Sequence, residues 1–82
     1  MAGNKGLAED PYERLGNAVI LQAAEDYRRA LRKVKRSPKN RDAIEEALGI
    51  ERFFRSGWYG VLTGVDGEYL IRKLQEEIRQ PE

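Results

Sequence analysis

The 82-residue chain predicts a small all-α bundle of three main helices plus one short helix, and three observations carry that expectation. Apolar residues recur at helical spacing in three separate windows. Each window opens near a residue suited to cap a helix N-terminus: Asp10, then Asn40 or Ser37, then Asp66. Ser37-Pro38 separates the first window from the second, because proline lacks a backbone donor and pushes the preceding residue out of the helical region. The competing architecture is α with one β-hairpin over residues 58–72. The expected division is an N-terminal arm, 1–9, and a single helical domain, 10–80.

Residues 1–9 are polar, contain two glycines and show no period, which predicts a mobile arm. Asp10-Pro11-Tyr12-Glu13 reads as an N-cap, a proline at the first helical position and a glutamate placed to reach back to the cap. From there Tyr12, Leu15, Val19, Ala23, Ala30 and Val34 form one stripe, and Ile20, Ala24, Tyr27 and Leu31 form another beside it. Two adjoining stripes predict a wide buried face. Gly16, among small residues, offers a place for another helix to approach closely.

The second helix carries Ala43, Ile44, Ala47, Leu48, Ile50 and Phe54 at a 3.6 period and is expected to end near Gly57. Ser56 then caps a short helix to about Thr63, with Gly64-Val65 as a turn. Asp66-Gly67 is also a hairpin turn signal, and Trp58 to Thr63 has strand-like composition, which is why the hairpin competes. Against it, Leu70, Ile71, Leu74 and Ile78 keep helical spacing behind Asp66 as N-cap. The expected core is Leu15, Val19, Ala23, Leu48, Phe54, Trp58, Leu62, Leu70, Leu74 and Ile78.

Composition narrows the chemistry. With neither cysteine nor histidine, disulfides, thiolate zinc sites and the commonest general base are missing. Adjacent carboxylates at Glu45-Glu46 and Glu76-Glu77 point about 100° apart on a helix and do not converge on a proton or a metal. Gly64 to Gly67 lacks the lysine of a phosphate-binding loop. No catalytic residue, metal site or cofactor is expected, and the chain is expected to be a non-enzyme. No apolar run approaches a membrane span, so the expected setting is cytoplasmic, with no membrane contact.

One feature asks for a partner. Eight of the fourteen residues from Arg28 to Arg41 are basic and none is acidic, although the whole chain carries only +1. Arg28, Arg29, Arg32, Lys33, Lys35, Arg36, Lys39 and Arg41 therefore form the candidate surface for nucleic acid or an acidic protein. The bland alternative is a solvated cationic helix end, favoured by the helix dipole and neutralised by Glu45, Glu46, Glu51, Glu76 or Glu77 folding back. A short helix, a turn and a further helix also outline a helix-turn-helix, but Asp66 and Glu68 at the reading end would repel phosphates. Phe53, Phe54, Trp58, Tyr59 and Tyr69 gather most of the aromatic area. Trp58 and Tyr59, with Arg55 over Trp58 in a cation–π contact, are the candidate aromatic interaction site, set against a purely structural role in the core.

The stretch from Ile50 to Ile71 resembles a group of short uncharacterised proteins encoded in phages and conjugative elements of Gram-positive bacteria. Its Phe53-Phe54-Arg55-Ser56-x-Trp58-Tyr59 and Val65-Asp66-Gly67-Glu68-Tyr69-Leu70-Ile71 strings carry the likeness, which extends more weakly over Leu15 to Arg36 and covers about half the chain. Gly57 and Gly60 depart from the helix-favouring residues of that pattern. The resemblance implies a mobile-element accessory protein that works by binding, and it brings no active site. Three roles follow: a nucleic-acid or acidic-partner binder using the basic run; an inhibitor of host defence, anti-CRISPR-like, docking on a host protein through Trp58 and Tyr59; or a homo-oligomer pairing its first helix across Gly16, Val19, Ala23, Tyr27 and Ala30.

Overall fold

Four helices and no strand make up the described residues, 11–80 of a computed structural model, with side chains described from Arg14 onward. In chain order they are α1 (Pro11–Arg36), α2 (Arg41–Phe54), α3 (Gly57–Leu62) and α4 (Gly67–Arg79). The N-terminal arm and the Asp10 cap lie outside the described residues. α1 is the spine, and each of the other three helices packs against it.

The caps are local chemistry and fall where the residue types place them. Asn40, in extended conformation, accepts from the Ala43 amide at 3.1 Å and opens α2. Ser56 accepts from the Tyr59 amide at 3.2 Å, opens α3, and donates its own hydroxyl proton to the Phe53 carbonyl at 2.7 Å. Asp66 accepts from the Glu68 amide at 3.1 Å and opens α4. The hairpin is excluded on the same ground: no described residue has positive φ, which the turn at Asp66-Gly67 would need at both central positions. α2 stops at Phe54, earlier than expected, because extended Ser56 starts a new helix.

Tyr27, Phe54 and Leu74, one from each long helix, are the largest fully buried side chains. Ala24, Ala30, Ala43, Ala47, Tyr59 and Ile71 are buried with them. The Tyr27 and Phe54 rings meet edge to face at 5.8 Å, and Phe54 meets Tyr59 the same way at 5.7 Å. Each such pair contributes about 1 kcal/mol beyond its buried area. Tyr27 is buried without an orphaned hydroxyl: it donates to Glu51 of α2 at 2.6 Å and accepts from Gln75 of α4 at 3.0 Å.

The expected core is therefore corrected. Phe54 and Leu74 are in it, Ala23 and Leu70 pack against it partly buried, and Leu62 and Ile78 are half-buried outside it, but Leu15, Val19, Leu48 and Trp58 are exposed. On α1 the second stripe faces inward around Ala24 and Tyr27, with Ala30 joining it. Length explains part of this: 26 residues of α1 run about 39 Å, whereas the 14 of α2 run about 21 Å, so the first turns of α1 outrun α2. Among the described residues α3 covers them on one side. A Cβ on Gly16 would stand 3.2 Å from the Leu62 carbonyl oxygen, so the glycine does seat another helix closely. Of the stripe Gly16, Val19, Ala23, Tyr27 and Ala30, Gly16 lies against Leu62 and Tyr27 and Ala30 are fully buried, whereas Val19 is exposed.

The closest fit in the fold is at Gly67. A Cβ there would lie 2.0 Å from the Phe54 carbonyl oxygen, so α4 starts directly against the end of α2. In that first turn Gly67 is buried, while Glu68 and Tyr69 are exposed.

Candidate nucleic-acid interface

The cations gather at one end of the bundle because α1 stops there. Lys33, Lys35 and Arg36 stand in its last turn, where carbonyls without helical partners favour positive charge. The Ser37 amide closes that turn on the Lys33 carbonyl at 2.8 Å, and the Asn40 amide bonds the Ser37 carbonyl at 2.9 Å, turning the chain into α2 with Lys39 and Arg41 on the corner.

The eight basic residues divide into two groups. Arg28 is held by Glu77 of α4, at 2.8 and 3.3 Å, and by Glu25 at 3.0 Å. The hydrogen bond from Arg28 holds the Glu77 carboxyl below its ordinary pKa and raises that of Arg28 in turn. Arg29 pairs with Asp26 at 3.1 Å. Lys35 donates to the Ile78 carbonyl at 2.7 Å, satisfying one of the last carbonyls of α4. Arg32, Lys33, Arg36, Lys39 and Arg41 are exposed and engage no carboxylate within 4 Å among the described residues.

Neutralisation thus reaches the near side of the run and leaves the far side open. Of the acids expected to fold back, Glu77 does so, Glu51 goes to Arg55 and Glu76 to Lys73. Glu45 and Glu46 make no ion pair among the described residues. Arg32, Lys35 and Arg36 line a groove of about 550 Å³, with Glu77 and Ile78 on its other wall. The two wall residues from α4 lie more than forty positions from Arg32 in the chain and were not singled out as part of the site; Glu77 appeared only among acids of the right sign.

The aromatic candidate site does not assemble. Trp58 is 60% exposed, but Tyr59 is 3% exposed and packs edge-on against Phe53 and Phe54. Neighbouring helix positions diverge by about 100°, so one of the two faces out when the other faces in. Arg55 leaves Trp58 for two bonds to Glu68 and one to Glu51, which raises its own pKa and lowers that of Glu68. The cation–π contact among the described residues is Lys73 over Tyr69, at 5.7 Å.

Trp58 also stands far from the cations. α3 lies beside Gly16 and Leu21, about 22 to 30 Å along α1 from Arg36, so among the described residues the basic surface has no stacking platform next to it. The helix-turn-helix outline fares no better: the start of α4 presents Asp66 and Glu68, whose charge opposes phosphate, and its Gly67 is seated against Phe54. No group of acidic side chains suited to hold a metal occurs among the described residues, and no described helix is long and apolar enough to cross a membrane.

Fold and surface together define a small all-α bundle with one electropositive end. Comparison with family models, with curated proteins and with solved structures yields no match to the chain.

Proposed function

We propose that this chain is a non-enzymatic accessory protein of a mobile element whose basic end binds the phosphate backbone of nucleic acid without reading bases. The observation that carries the reading is the set of five exposed cations, Arg32, Lys33, Arg36, Lys39 and Arg41, left without a carboxylate among the described residues while Arg28 and Arg29 are paired. Backbone binding needs clustered like charge and released counterions, and nothing more. An acidic protein is the weaker fit, because the described residues of this end set no aromatic anchor beside the arginines. The resemblance to phage and conjugative-element proteins supports the accessory role.

Fluorescence anisotropy with a labelled duplex tests it. Five phosphate contacts predict that log K falls against log salt with a slope of about −4.5. The triple variant Arg32→Gln, Arg36→Gln, Lys39→Gln should lose binding at every salt concentration and keep the parent melting temperature. Absence of binding in low salt would sink the reading.

A further inference from the structure

At about 100° per residue, Arg29, Arg32, Lys33 and Arg36 fall within one sector of α1 about 100° wide, turned away from buried Tyr27 and Ala30. Arg28 and Lys35 stand on the flank of that sector beside α4, and both are engaged there, Arg28 by Glu77 and Lys35 by the Ile78 carbonyl. Two ties to α4 therefore brace the last turns of α1. What they leave outward is a straight, convex row of cations, with Lys39 just past the helix end.

A single strand is held by tracking a positive groove and by stacking its bases on aromatic rings. The groove beside the row is lined by Arg32, Lys35 and Arg36, but its other wall carries the Glu77 carboxylate. The next groove, between Leu31 and Ile78, is apolar, and no aromatic side chain lines either one. A flexible strand laid here would lose its freedom, meet a like charge and gain no stacking in return.

A duplex asks for less. It is stiff before it binds, and it presents a phosphate for about every 1.7 Å of its axis, both strands counted. Arg32 and Arg36 are about one turn, or about 6 Å, apart along α1. A rod laid beside them meets phosphate at each side chain without bending or unstacking.

We infer that the ligand of the basic end is double-stranded nucleic acid lying lengthwise along the outward row of α1, and that single strands are poor ligands. The assignment deepens the phosphate-binding reading and rests on it. Glu25 shares the same sector, one turn before Arg29, and its side chain is 61% exposed. It marks where the row stops, about 16 Å along α1 from Arg36. That is beyond the reach of a charge screened at about 0.1 M salt, so a ligand confined to the corner at Lys39 and Arg41 would not sense it.

Fluorescence anisotropy of the full chain tests both parts. A labelled duplex is competed with unlabelled duplex or with oligothymidylate of the same phosphate count, in low salt. The duplex should compete at least about tenfold better. Glu25→Lys should lengthen the row and steepen the slope of log K against log salt by about 0.9, with unchanged helical circular dichroism. Glu45→Lys makes the same change of charge on the outward side of α2, one turn from Arg41, and should leave the slope as it is. Oligothymidylate competing as well as duplex overturns the inference and leaves the phosphate-binding reading standing. A slope that responds to Glu45→Lys and not to Glu25→Lys moves the ligand to the corner and overturns the lengthwise placement. Binding of neither nucleic acid removes the underlying reading, and the inference with it.

Discussion

The two ends of α1 are built on opposite rules. At the C-terminal end long side chains reach into water from a backbone that has room, and the contacts there are ion pairs on flexible stems. Toward the N-terminal end backbones touch: Gly16 lies under Leu62, and beside Tyr27 Gly67 lies under the carbonyl of Phe54. The difference teaches where tolerance lies. Charge can be edited at one end with little effect on folding, whereas a single carbon is decisive at the other.

Gly67→Ala is the severest test of that contrast. Its Cβ would have to displace backbone, the Phe54 carbonyl oxygen, so stability should fall by about 3 kcal/mol or more in urea unfolding. A cost within about 0.5 kcal/mol would mean the junction has slack after all. Next comes Tyr27→Phe, between the two ends, which deprives Glu51 and Gln75 of their shared partner and should cost about 1–2 kcal/mol. This variant also has a pH signature. Burial, then the bond to Glu51, raises the Tyr27 pKa above its ordinary 10.0, so the folded state resists ionisation. Its contribution is complete below that value and lost as pH rises through it. Stability measured at about pH 9 and about pH 11 should therefore drop more steeply in the parent than in Tyr27→Phe.

Tyr59→Phe should go the other way. The Tyr59 hydroxyl is buried with no hydrogen-bond partner, so its removal should stabilise the fold by about 1 kcal/mol, read as a higher urea midpoint. Smallest is Arg28→Gln at the basic end, expected to change stability by no more than about 0.5 kcal/mol at neutral pH, because the pair is exposed. Its hydrogen bond holds the Glu77 carboxyl below its ordinary 4.5, so the contribution is present above that value and lost as pH falls through the folded one. In the variant that acid-side loss should disappear. A large effect of Arg28→Gln near neutrality would erase the distinction between the ends.

What was legible in the sequence tracks how local each determinant is. Asn40, Ser56 and Asp66 cap within three residues of themselves, and Pro38 acts on its neighbours, so the helices and the turn were readable. The choice between two α1 stripes was not, since both have the period and the decision rests on Glu51 and Gln75 meeting the Tyr27 hydroxyl from distant segments. Trp58 and Tyr59 are indistinguishable by type, and the phase of α3 alone separates them. The basic run was legible as charge; its division was not, because Glu77 lies 49 residues from Arg28 and competed with four other carboxylates of equal merit.

One feature reaches further than its size suggests. α1 runs past α3 to the cations without a break, for 26 residues. A continuous helix is a ruler and a protractor at once: one inserted residue midway would lengthen the rod by about 1.5 Å but swing one terminus about 100° around the axis relative to the other. Whatever the two termini engage is thereby set in azimuth as well as distance, and a change in the length of this segment should be felt first as misdirection.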